Sequence, residues 1–287
     1  MDPTAAEPSP EADIIRRDLR FAFEDCDLRT WHPDGLHVAH FFNALSIFFP
    51  EGEKFFIDSV RHFRDRIRAP KLERDVKGFI GQEAMHSREH RRYNEALATA
   101  GLPIERLEAR VKAHLEHVRE HAPLADQLAV TIALEHFTAI MADALLNDDG
   151  ILARADPRMA ALWQWHAVEE TEHKAVAFDV YREAVGTDRA AYWRRAIVML
   201  LTTIDFWQLV FRYHLTLVRA DGAAGDLRGW WRLFRFLWIS PGGLRRLVRP
   251  WMRYFGRDFH PWQHDNSAFV RRWTAARVAH GERSAGA

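Results

Sequence analysis

The sequence predicts an all-α chain: a four-helix bundle with an additional N-terminal helix and a helical C-terminal extension. Three observations predict it. Strand patterns are nearly absent, and apolar residues recur at helical spacing over long stretches. Two Glu-x-x-His pairs, Glu83–His86 and Glu170–His173, each follow a lone Glu on an apolar segment, Glu53 and Glu135. The separations are similar, 30 residues from Glu53 to Glu83 and 35 from Glu135 to Glu170. A bundle that gives one Glu from each of two helices and Glu-x-x-His from each of the other two holds a dinuclear metal centre between them.

Residues 1–12 are acidic and Pro-rich and read as a disordered tail; they carry neither the basic nor the apolar stretch of a secretory signal. A short helix is expected over about 13–25. The next covers about 37–67 and is interrupted at Pro50, whose ring removes an amide donor. Pro70 opens a helix over about 70–100 that stops at Gly101, and Pro123 opens one over about 123–147. Between them, 104–121 is heavily charged, and its His114, His117 and His121 read as a solvated face. Asp156-Pro157 starts a helix over about 157–185 that Gly186 ends. The expected division is a bundle over 13–186 and a Trp/Arg-rich helical extension over 187–287 packed on it.

Helical geometry tests the ligand pattern. At about 100° per residue, Glu83, His86 and His90 fall within roughly 60° of one another, and so do His166, Glu170 and His173. Glu169 sits at the edge of that second arc, and Glu172 points away. Glu53 precedes Phe55, Phe56 and Ile57, and Glu135 lies within VTIALEHFTAIMADALL. Carboxylates on such segments need a partner or a cation when buried. The candidate ligands are Glu53, Glu83, His86, Glu135, Glu170 and His173, with His166 and His90 as additions. A mixed Glu/His set suits iron or manganese, with zinc a further option; closed structural zinc sites favour Cys.

The chain resembles the ferritin-like di-iron superfamily, and within it the family named "predicted metal-dependent hydrolase". The likeness rests on HFFNALSIFFPEGEKFF (40–56), GFIGQEAMHSREH (78–90), ALEHFTA (133–139), WHAVEETEHKAVAFD (165–179) and DFHPWQHD (258–265), and covers about residues 25–270. His166-x3-Glu170-x2-His173 is also similar to the third-histidine arrangement of di-iron arylamine N-oxygenases. The resemblance implies Glu53, Glu83, His86, Glu135, Glu170 and His173 as core ligands, Glu83 and Glu170 as bridges, and His166 as an added ligand. The Phe259-His260-Pro261-Trp262 element lies outside this set and is expected to pack against the bundle.

Two enzymatic readings follow. The leading one is an O2-dependent di-iron oxidase or oxygenase acting on a hydrophobic small molecule, served by an electron donor. The alternative is a dinuclear metal-dependent hydrolase, in which two cations activate water. Metal storage would need a shell of subunits that the extension does not suit.

The whole chain has no net charge, but residues 187–287 hold 17 Arg, no Lys and 7 acidic residues, and eight of the 11 Trp. Between 228 and 257, eight Arg and no acid interleave with aromatic residues, as on a helix lying in a headgroup region. Contact with a membrane surface is expected there; no nucleic-acid recognition motif accompanies the charge. Residues 196–211 are apolar but too short for a span and contain Asp205, so a buried fifth helix is expected. A single cysteine, Cys26, fits a reducing cytoplasm. The expected setting is cytoplasmic, at the inner face of the membrane, as a homodimer.

Overall fold

The helix expected over 13–25 does not form. The computed structural model describes residues 14–148 and 150–279, and in it residues 14–23 run as a non-helical strap, followed by turns up to Asp34. The tail expected at 1–12 lies outside the described residues. The strap gives up local hydrogen bonds because its polar groups find partners elsewhere. Arg17 reaches Glu169 and Glu172, the N–H of Phe21 donates to Glu89, and the Ile15 carbonyl accepts from Gln82. Two glycines make room for it: a Cβ on Gly78 would lie 2.8 Å from Ile14, and one on Gly81 3.1 Å from Arg16. Glycine inside a helix costs about 0.5–1 kcal/mol relative to alanine, and close approach of the strap accounts for both.

The helices follow in order: α1 (Leu36–Ser46), α2 (Phe49–Arg61), α3 (Pro70–Thr99), α4 (Ile104–His121), α5 (Leu124–Leu146), α6 (Pro157–His173), α7 (Val176–Ala184), α8 (Arg189–Ala220), α9 (Leu227–Phe234), α10 (Gly243–Arg253) and α11 (Ser267–Ala279). There is no strand among the described residues. The interruption expected at Pro50 falls slightly earlier, at Ile47–Phe48, and Pro50 sits in the first turn of α2, where a missing N–H costs nothing.

α2 packs on α3 and α5 on α6, so these four enclose a common interior. α5 is apolar on all sides and central, as a helix without a polar face must be. The helix expected over 157–185 is broken into α6 and α7 at Lys174–Ala175. Lys174 is buried there, and its Nζ donates to the His264 carbonyl (2.6 Å) and Asn266 (2.7 Å) while lying 4.0 Å from the Trp262 ring. His260 faces Asp179 at 3.0 Å and His264 faces Asp143 at 3.0 Å. The Phe-His-Pro-Trp element thus clamps the break that follows His173.

α8 was expected to be buried and is buried on one side only. Met199, Val210 and Leu217 face inward, where the helix packs on α1 and α5; Ile197, Leu200, Leu201 and Ile204 face outward. α5 and α8 are both long and apolar enough to cross a membrane, with 72% and 28% of their apolar windows buried. In the extension, Leu233, Phe236, Leu237 and Tyr254 join the core, whereas Trp231, Phe234 and Trp238 are exposed.

Two buried histidines tie distant segments together. His32 Nε2 meets the Ile151 carbonyl at 3.0 Å and His214 Nε2 the His37 carbonyl at 2.9 Å, and burial lowers the pKa of each to about 4. Both are neutral when folded, whereas the unfolded chain protonates near pH 6.5. Their stabilisation is therefore fully present above that pH and is lost as pH falls toward 4. At about 1.4 kcal/mol per pKa unit, each contributes on the order of 3 kcal/mol. The unfolding free-energy difference between wild type and His32→Gln should shrink steadily from pH 7 to 4.5; a constant difference would contradict this.

Candidate metal centre

Seven of the eight candidate ligands converge in the interior of α2, α3, α5 and α6. Glu53 comes from α2, Glu83 and His86 from α3, Glu135 from the middle of α5, and His166, Glu170 and His173 from α6. All are buried, none more than 4% exposed. Ligand atoms of Glu53, His86 and His166 lie within 4.8 Å of one another, as do those of Glu83, Glu135 and His173, and those of Glu83, His86 and Glu170. Glu83 belongs to the second and third of these groups, and His86 to the first and third. Glu170 lies 3.1 Å from His166, 3.8 Å from His86 and 3.5 Å from His173. These two carboxylates occupy the positions between the groups.

Two of the three histidines, His173 and His166, share one design: one ring nitrogen has an outer hydrogen-bond partner and the other faces the interior; His86 only has a carboxylate beside it. His173 Nδ1 meets Gln82 Oε1 at 2.8 Å, His166 Nδ1 meets His90 Nε2 at 2.9 Å, and His86 Nε2 lies 3.1 Å from Glu169 Oε2. Outer partners of this kind fix the ring orientation and tautomer of metal-binding histidines. The outer partners are themselves joined. Gln82 donates to Glu172 (2.6 Å), and Arg17 bridges Glu172 (2.5 Å) and Glu169 (3.2 Å), with Trp165 donating to Glu169 as well (2.8 Å).

His90 does not join the ligands. Its Nδ1 lies 2.9 Å from Ser46 Oγ, whose proton goes to Asn94, and its Nε2 meets His166, so neither nitrogen is free for a cation. Its place is to hold His166. Glu169, set at the edge of the ligand arc by sequence, lies 3.1 Å from His86 Nε2 without a hydrogen bond to it. Arg17, Gln82, Ser46 and Glu172 were not foreseen as parts of the site. One signal for Gln82 was a polar residue beside Glu83 on an inward helix face.

The electrostatics favour a cation. Burial raises Glu53 and Glu135 well above the ordinary carboxylate range, and neighbouring carboxylates push them further. Burial likewise raises Glu83, against the pull of His173. Burial would raise Glu170 too, yet His173 and His166 hold it well below its ordinary value. Burial opposes protonation of His173, but Glu170 and Glu83 outweigh it and raise its pKa. Burial lowers His86 well below the usual range, and raises Glu169 to about 8 despite Arg17.

Hydrogen-bond partners tell the same story. Both oxygens of Glu53, Glu83 and Glu135, both nitrogens of His86, and Nε2 of His166 and His173 are buried without one. Orphans are rare in folded proteins, and so many facing one interior fit a site for cations. Four carboxylates and three imidazoles, with no thiolate, suit iron, manganese or zinc.

His90→Phe is expected to weaken uptake of one ion about 10–100-fold, the usual cost of losing an outer partner. A Zn2+ titration of metal-free protein reads this; uptake matching wild type would remove His90 from the site.

Two apolar cavities reach the centre. One of about 290 Å3 meets it at Glu53, the other of about 90 Å3 at His166 and Glu170.

No curated protein and no solved structure matches the chain. A family model described as "predicted metal-dependent hydrolase" matches residues 15–265, from the strap through the Phe-His-Pro-Trp clamp. The chain belongs to the family of predicted metal-dependent hydrolases.

Proposed function

We propose that the buried Glu/His cluster binds two metal ions and that the protein uses them to hydrolyse a bond in an apolar small molecule. The observation that carries this reading is the set of orphaned donors on four helices, to which the family description adds hydrolysis. Glu53, His86 and His166 would hold one ion and Glu83, Glu135 and His173 the other, with Glu83 and Glu170 between them. Bound cations would supply Lewis acidity, lowering the pKa of water and polarising the scissile group. The chain's own part is to fix His173 and His166 through Gln82 and His90, to set Glu169 beside His86, and to keep the apolar cavities dry.

A second reading is oxidation of the same class of substrate with O2, which the sequence put first. It is favoured by the carboxylate-rich donor set carried wholly on bundle helices, as in ferritin-like di-iron proteins. It would require an electron donor. Family membership supports the hydrolytic alternative better.

One experiment separates the two. Protein purified without oxygen is assayed for metal content, then given O2 under an optical spectrometer, and separately given p-nitrophenyl esters. Two metal ions per chain, ester cleavage and no response to O2 support hydrolysis. Two irons and a transient visible band move the assignment to oxidation. Well under one metal per chain after reconstitution overturns both. The exposed Trp231, Phe234 and Trp238 and the surrounding arginines support contact with the cytoplasmic face of a membrane. The outward face of α8 supports a homodimer as a further reading.

A further inference from the structure

The larger cavity has a shape that says what it holds. Four helices each contribute a stripe to its wall, Val130 to Met141 on α5, Val111 to Val118 on α4, Phe49 to Phe56 on α2 and Leu201 to Leu209 on α8, and Leu45 of α1 and Phe48 of the break complete it. At 1.5 Å per residue, the α5 stripe is about 16 Å long. A volume of about 290 Å3 spread over three helical turns is long and narrow rather than round. Glu53 lines it within the α2 stripe, on the side of the other Glu/His residues; the exposed Leu201 and Asp205 of α8, with His114 opposite, form its rim at solvent.

Gly52 is the second observation. It lies inside α2, next to Glu53, and lines the cavity. A Cβ there would meet no atom within 4 Å, and its backbone is not in a conformation that needs glycine. Gly78 and Gly81 are explained by the strap, but nothing packs on Gly52. A helix-interior glycine facing open space gives up helix stability and leaves room beside the metal centre.

We propose that this cavity is the binding site for an unbranched acyl or alkyl chain, laid along the bundle axis. One carbon of the chain rests against Glu53, and its other end leaves past Leu201. The reactive end of this assignment rests on the metal-centre reading above; chain binding does not. The wall is apolar apart from Glu53, Thr138, Thr202 and the rim, so the chain is recognised by length and not by charge.

The test uses metal-loaded protein, the fluorescent acyl probe cis-parinaric acid, and displacement by n-alkanols from butanol to hexadecanol. Affinity should rise with each added methylene and level off once the slot is full. Gly52→Phe fills the slot and should weaken the longer alkanols at least tenfold, with helicity and metal content unchanged. Leu134→Trp, from α5, should do the same. Leu227→Ser, on the surface away from the cavity, should bind as wild type. Absence of chain-length dependence in the wild type overturns the proposal, as does wild-type affinity in folded Gly52→Phe or Leu134→Trp. Repeating the series on metal-free Glu135→Leu separates the two readings. Chain-length-dependent binding there, beside a wild type that takes up no metal, keeps the slot and removes the metal centre.

Discussion

Arg17→Ala is expected to destabilise the protein by roughly 3–5 kcal/mol, the usual cost of removing one partner from a buried ion pair. Arg17 is 5% exposed and is the cation facing Glu169 and Glu172, both also buried. Without it, two carboxylates face each other in a poorly solvated space. Burial already raises Glu169 to about 8, and loss of Arg17 would push it further up and change its contact with His86. Metal affinity should fall about 10–100-fold in consequence. Arg17→Lys should recover only part of this, because one ammonium cannot reproduce a planar fork that spans two carboxylates. Arg20→Ala, at an exposed neighbour, serves as the control. Guanidinium unfolding and a metal titration read both effects. An Arg17→Ala protein within about 0.5 kcal/mol of wild type, the usual range of surface substitutions, would mean that the strap is not part of the site.

Glu135→Leu should have opposite effects with and without metal. Glu135 is a carboxylate in the middle of an otherwise apolar helix, and neither of its oxygens meets a donor. In metal-free protein it is a burden, and replacing it with a hydrocarbon should raise stability by about 1–3 kcal/mol, the cost of an unsatisfied buried polar group. In metal-loaded protein the same change deletes a ligand of the Glu83–Glu135–His173 group and should remove one ion per chain. Thermal unfolding with a chelator and with saturating metal therefore ranks the two proteins in reverse order. The same ranking in both conditions would sink the ligand role of Glu135.

Periodicity carried most of the helices, and the Glu-x-x-His pairs carried the convergence of seven buried side chains, because both are local. What lay beyond it was non-local. Arg17 and Glu172 are 155 residues apart, and Gln82 and Glu172 90 apart; no spacing rule joins them. The strap was read as a helix because residues 14–23 contain good helix formers. The competing partners on α3 and α6 that hold it extended are invisible locally. Gly78 and Gly81 were the available clue, being glycines inside a helix with no turn to serve. The break at Lys174–Ala175 contains neither glycine nor proline and is set by the carbonyl and amide that receive the Lys174 ammonium from residues 264 and 266. His90 obeyed the angular test for a ligand, but angle alone does not count how many of a ring's nitrogens are already occupied.

The Arg17 guanidinium that closes the outer network also lies over the ring of Trp273 on α11, at 5.3 Å. The strap and α11 thus meet on the back of α6. During synthesis the strap can dock on α3 early, but Arg17 meets its carboxylates only when α6 follows, roughly 150 residues later. Until then a nascent chain carries Arg17 without its carboxylates and a half-assembled ring of ligands. The Arg17 network, and with it His166, Glu170 and His173 of α6, is therefore completed late in synthesis rather than early.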